Sequence, residues 1–301
     1  MTLMSSPRST LESAALRGNA RRSAAERAVE IVLLSAIVVT LGVLVILILD
    51  FTVAGIPGLS WEFLTTYPSR FADQTGVRNG ITGSLSLLLL TALFTFPLGV
   101  GAAIYLQEFA TKNRFNQVLE ANITNLASVP SVIYGLLGLS LFVNFLGFGR
   151  SLLAGAMTLT LLVLPVIIVA TREALRSVPQ EIRTGSLALG ATPVQTAFRQ
   201  TLPAAMPGTL TGTILAVSQA VGETAPILVV GAVLSRRTDT APWDLFEPFS
   251  ALPVQIFDFV KRPQEEFQVE VAASAIVVLM VILLLMNAVA IVIRYRYSKK
   301  Q

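Results

Sequence analysis

Residues 31–49 read IVLLSAIVVTLGVLVILIL, nineteen positions without a charge between Glu30 and Asp50. A helix needs about 20 mostly apolar residues to cross the hydrocarbon core of a bilayer. The run therefore reads as a membrane-spanning helix. About 29 residues precede it, and its length exceeds the apolar region of a secretory signal, so it is expected to stay as an uncleaved anchor.

Working outward, five more apolar stretches follow. They lie between Arg78 and Glu108, Glu120 and Arg150, Arg150 and Arg172, around Arg199 to Glu223 and beyond, and between Glu270 and Arg294. With the first at 30–50, they predict spans over 81–106, 122–146, 152–172, 205–233 and 271–293. The third is the weakest, because it carries Asn122, Asn125, Pro130 and Asn144. Strands of a β-barrel are excluded, since the runs are too long and do not alternate. The fold class is all-α, a polytopic membrane protein with six transmembrane helices. The domain reading is a solvated, mobile tail over 1–28, a first helix over 29–51, an outer loop over 52–78, a transmembrane domain over 79–293 and a short tail over 294–301.

Composition agrees. The chain of 301 residues is 53% hydrophobic and 13% charged, with mean hydropathy +0.71. Soluble domains carry about 25% charged residues, and disorder needs low hydrophobicity. Both classes are excluded. Cys and His are absent, which removes disulfides, Cys/His metal sites and His-based triads. No catalytic group and no metal site is expected.

An even number of spans places both ends on one side. That side holds 15 of the 22 basic residues, so the termini are expected to be cytoplasmic. These bases are spread over four segments with no aromatic-interleaved patch. Nucleic acid is therefore not an expected partner, whereas anionic lipid is. The outer loops contain Trp61 and Trp243. Arg236 and Arg237 lie just outside the fifth span and either draw anions toward an entrance or are simply solvated.

The loop 173–204 carries two helix starts and two stops. Ser177-Val178-Pro179-Gln180 and Thr192-Pro193-Val194-Gln195 each read as a capping box with proline at the first helical position. Val178, Ile182, Gly185 and Leu189 share a helical face, as do Val194, Ala197 and Phe198. Gly190 suits a left-handed C-cap, and Pro203 is expected to end the second helix. Two short helices result, too short to span. They either lie among the lipid headgroups or dock into a soluble partner.

One carboxylate, Glu223, falls within the fifth apolar segment. A charge at that depth is costly and functional by default; a helix-terminal acid or a structural ion pair is the alternative. Pro226 permits a kink nearby. Gln219, Glu223 and Thr224 are candidate lining residues of a polar path. Pro130-Ser131 either opens that path in the third span or only packs. Gly83, Gly99 and Gly101 are expected to let helices approach closely. No GxxxxGK[ST] phosphate loop is present.

The loop resembles the EAA loop of bacterial ABC-transporter permeases, EAA-x3-G-x9-I-x-LP. Gly190 is followed by nine residues and then by Gln200-Thr201-Leu202-Pro203. Thr184, Gly185 and Ser186 stand at the Glu-Ala-Ala positions and Gln200 at the Ile. The run Ala220-Val221-Gly222-Glu223-Thr224-Ala225-Pro226-Ile227 resembles the GETAPL motif of the PstA family of phosphate-uptake permeases. Pro130-Ser131-Val132-Ile133-Tyr134-Gly135-Leu136, Pro97-Leu98-Gly99, Ala102 to Leu106 and Leu252 to Ile256 resemble further stretches of that family. The similarity covers about residues 78–296. Gln219 stands where the family often has Arg.

The resemblance implies a permease subunit of an ATP-driven phosphate importer in the bacterial inner membrane, with a peripheral first helix and a five-span core. It implies a PstC-like second permease, two PstB-like ATPase subunits carrying ATP and magnesium, and a PstS-like phosphate-binding protein. Thr184, Gly185, Ser186, Gly190, Leu202 and Pro203 would couple to the ATPase. Gln219, Glu223, Thr224 and Ser131 would line the path. Glu223 would pair with an Arg of the second permease or accept a hydrogen bond from protonated phosphate. A permease for another oxyanion, molybdate or sulfate, is the near alternative, and a self-contained channel or carrier the distant one.

Overall fold

A computed structural model describes residues 8–111, 113–233 and 238–298. Among these the chain is helical with no strand. It divides into two units, Met1–Val53 and Ala54–Gln301.

The first unit is carried by helix α1 (Arg8–Gly55). The tail expected over 1–28 is helical from Arg8 onward, and residues 1–7 lie outside the described residues. The reason is propensity: Ala, Leu, Arg and Glu, all good helix formers, dominate this stretch. From Glu26 to Gly55 the helix is long and apolar enough to span. It is apolar around its circumference between 31 and 49, as lipid requires.

The second unit begins with α2 (Trp61–Thr65), capped by the Ser60 hydroxyl, which accepts from the Phe63 N–H. Helix α3 (Arg78–Ile104) is prolonged by a π-helical turn, Tyr105–Phe109. Next come α4 (Arg114–Leu126) and α5 (Ser131–Gly138), the latter prolonged by a π turn over Leu139–Phe145. Helix α6 (Leu152–Arg176) is capped by Ser151. Helices α7 (Gln180–Ala188) and α8 (Pro193–Thr196) form a hairpin. A π turn, Ala197–Thr201, joins α8 to α9 (Leu202–Gly222). Then follow α10 (Ala225–Val230), α11 (Leu252–Lys261), a π turn over Phe267–Val271 and α12 (Ala272–Ser298).

Four helices meet the length and apolarity of a span: Glu26–Gly55, Arg78–Phe109, Leu152–Arg176 and Phe267–Arg296. Two of the six expected spans are broken instead. The segment 122–146 is not one helix: α4 and the helical run Ser131–Phe145 meet at 106°. Pro130 lacks an N–H and holds Val129 away from helical geometry, while α4 keeps Arg114 and Glu120 in a polar sequence. Pro130-Ser131 is thus a break between two helices, not a kink within one. The segment 205–233 is also divided, because α9 ends at Gly222 and Glu223 is extended (φ −73°, ψ 117°).

The core lies between α3, α6 and α9. Leu87 and Leu90 pack with Leu159, Val163 and Ile167, and with Ala216 and Ala220. Below this, α6 and α9 meet through small residues. A Cβ added at Gly208 would lie 2.8 Å from the Ala174 Cβ, and one at Gly212 would overlap the Ala170 Cβ. Two Ala/Gly steps of four thus let the backbones touch. Gly99 meets Ile167 and Gly83 meets the Ser250 carbonyl in the same way, whereas Gly101 approaches no other helix among the described residues. Helices α9 and α12 bond at two levels: the Ser218 hydroxyl donates to Asn287 Oδ1, and Arg294 Nη1 donates to Thr211 Oγ1 at 3.1 Å.

Candidate functional site

The α7–α8 hairpin is built by local signals. Gly190 adopts φ +86°. The Ala191 N–H donates to the Ser186 carbonyl (3.2 Å) and the Gly190 N–H to that of Leu187 (3.0 Å). This is a Schellman termination, which needs a left-handed residue. Next, Thr192 and Gln195 form the reciprocal capping box, at 3.2 and 2.9 Å, with Pro193 at the first helical position. The Ser186 and Thr196 hydroxyls close the hairpin at 2.9 Å.

Two expectations fail here. The capping box at Ser177 does not form. Its hydroxyl donates back to the Ala174 carbonyl at 2.8 Å, and Pro179, not Ser177, precedes α7. Helix α6 runs to Arg176, and Val178 is buried against Ala103, Ile104 and Leu106. Residues 177–179 are used up in that turn. Pro203 does not end a helix either. The chain stays helical from Pro193 to Gly222, because the π turn at 197–201 shifts the hydrogen-bond register just ahead of the proline.

Thr184, Gly185 and Gly190 are exposed, and Ser186 is half-buried by its bond to Thr196. Leu202 and Pro203 are half-buried on the continuing helix, away from the turn. Of the expected apolar faces, the chain covers Val178 and Ala197 and leaves Ile182, Leu189, Val194 and Phe198 exposed. Leu189, beside the turn, is 91% exposed. It thus stands as an uncovered apolar side chain at the capped corner.

The sequence reading missed what holds α7. Arg183 reaches Glu108, in the π turn that ends the α3 span. Its Nη2 lies 2.9 Å from Oε1 and its Nε 3.2 Å from the same oxygen. The same guanidinium donates to the carbonyls of Leu175 (2.7 Å) and Val178 (2.8 Å). Side-chain exposure is 12% for Arg183 and 11% for Glu108. The only sequence signal was an acid closing one apolar run and a base on a distant loop.

The candidate path residues lie at the breaks. Glu223 caps the C-terminus of α9 and Thr224 precedes α10. Helix α5 packs on α10, with a Cβ at Gly135 falling 2.7 Å from the Pro226 Cα. Phe142, in the π turn after α5, shares a buried cluster with Ala154 and Val230. Ser131 opens α5, and Glu223 and Thr224 stand at the break before α10. Glu223, Thr224 and Ser131 are half-buried and Gln219 is exposed. Glu223's carboxylate has no hydrogen-bond or ion-pair partner among the described residues. Arg150 packs its methylenes over Gly231. Arg236 and Arg237 lie outside the described residues.

Residues 95–300 match the family described as the binding-protein-dependent transport system inner membrane component. The chain belongs to this family. It is an ABC-importer permease subunit, a multi-pass inner-membrane protein and a transport component. Among its relatives is the probable ABC transporter permease protein YqgI of Bacillus subtilis, 36% identical over 217 residues, covering 72% of each chain. The phosphate transport system permease protein PstA 1 of Mycobacterium tuberculosis is 38% identical over 198 residues, 65% of this chain and 63% of the relative. PstA of Haemophilus influenzae is 35% identical over 69% of this chain and 72% of its own length. The permease fold is shared with solved transporters. A bacterial alginate ABC transporter bound to its periplasmic protein gives a TM-score of 0.62 at 15% identity, covering 86% of this chain and 90% of that one. The MetNI methionine transporter gives 0.59 at 18% identity, covering 72% and 94%.

Proposed function

We propose that this permease is the PstA-type half of a phosphate importer. The observation that carries the reading is the capped hairpin with Leu189 exposed at its corner, continuous in one helix with the residue before Glu223. The relatives named PstA and the Gly222-Glu223-Thr224-Ala225-Pro226 motif at the helix break support phosphate as substrate.

In this reading the second permease resembles PstC, and the path runs between the two. Two PstB-like ATPase subunits bind ATP and magnesium, since this chain has no phosphate loop. A PstS-like protein delivers phosphate to the outer loops, and both termini face the cytoplasm. The ATPase grips residues 178–203, and closure of its nucleotide sites moves the spans. Ser131, Gln219, Glu223 and Thr224 face the path. A bare carboxylate repels phosphate, so Glu223 either meets an Arg of the second permease or accepts a hydrogen bond from protonated phosphate. The latter discriminates against fully ionised sulfate.

Leu189→Cys tests the coupling directly, because the chain has no native cysteine. It should cross-link to the ATPase subunit in the assembled complex. The complex should import phosphate in an ATP-dependent way, in preference to sulfate and molybdate. No cross-link to the ATPase overturns the docking role; equal import of another oxyanion overturns the substrate.

A further inference from the structure

Helix α7 has no buried residue. Its attachment rests on the turn at Val178, the Ser186–Thr196 bond and Arg183. Among the described residues, the Arg183–Glu108 contact is the one polar link from this hairpin to the α3 span, joining positions 75 apart. Glu108 sits in a π-helical turn, where the Ala110 N–H reaches five residues back to the Tyr105 carbonyl (2.8 Å). Such turns interrupt the regular ladder and are frequent at functional positions.

We propose that Arg183 and Glu108 are positioning residues that carry hairpin movement into the α3 span during transport. This rests on the reading of 178–203 as the ATPase-docking segment. The physical reason is desolvation. A buried ion pair strongly resists separation, because each partner would be left as an uncompensated charge. The pair is forked, with both Nε and Nη2 on the carboxylate, so it resists rotation as well as stretching. Arg183 also binds the carbonyls at the end of α6. A displacement of α7 therefore draws the ends of α3 and α6 together. No apolar contact of α7 could do this, since its Ile182 and Leu187 are exposed.

The test uses the full complex in proteoliposomes with loaded binding protein, and reads inorganic phosphate imported per ATP hydrolysed. The double variant Glu108→Gln, Arg183→Gln replaces the pair by neutral amides and leaves no lone charge buried. Phosphate per ATP should fall at least about five-fold, the lower edge of usual site-to-site coupling, while hydrolysis persists. An unchanged ratio overturns the proposal, whether or not both rates fall together, because a merely structural role lowers both in proportion.

A second arm guards against poor assembly. Glu108→Cys with Arg183→Cys, in complexes otherwise free of cysteine, is assayed before and after bridging with a short bifunctional thiosulfonate. The ratio should recover on bridging and fall again on reduction. No response to bridging overturns the link. The two failures separate through Leu189→Cys. Cross-linking there with an unaltered phosphate-to-ATP ratio removes the link alone, and absence of cross-linking removes the docking reading and the link with it.

Discussion

At the scale of the residue, the proposed role of Glu223 in the path is the one most open to a direct test. It stands between the end of α9 and the start of α10, half-buried and with no partner among the described residues. An acid with no structural bond is free to be replaced without loss of packing. Glu223→Gln should leave the complex intact and lower phosphate uptake by about ten-fold or more, the effect of roughly 1.4 kcal/mol on a barrier. Radiolabelled phosphate uptake, normalised to purified complex, checks this. Normal uptake would remove Glu223 from the path.

At the scale of the element, the tight α6–α9 crossing should be the weak point. Gly212→Leu pushes a branched side chain into Ala170, whereas Gly101→Leu enters open space. The first should lower the midpoint of thermal aggregation in detergent by several degrees, in line with about 1–3 kcal/mol for overpacking, and the second should leave it nearly unchanged. Equal effects would mean the crossing does not govern stability. Much of this scale was legible in sequence. The spans α3, α6 and α12 follow from uncharged length, and the Gly190 corner and Thr192 box from residue types that act on their immediate neighbours. The Gly208-x3-Gly212 step was equally readable and was passed over. What could not be read were the π turns. One residue inserted into a helix leaves no mark on composition, yet it carried the helix through Pro203. The Arg183–Glu108 pair was hidden for a different reason: nothing local ties residues 75 positions apart. The break at Pro130 was partly legible, since Asn122, Asn125 and the proline itself weaken the apolar run there.

At the scale of the whole molecule, the proposed orientation, with both termini in the cytoplasm, has a simple readout. Trp243, which that orientation places outside, is 80% exposed, and Leu189 at the hairpin corner 91%. On intact spheroplasts a membrane-impermeant maleimide should label Trp243→Cys at once, and Leu189→Cys only after permeabilisation. The reverse pattern would invert the topology. The unbroken helical run from Pro193 to Gly222 has a mechanical side as well. Thirty residues at 1.5 Å each make a rod of about 45 Å. If its inner end is swung through about ten degrees, the far end sweeps roughly 8 Å, by the same helical rise. A small rotation at one end of this run is thus enlarged into a shift of several ångströms at the other.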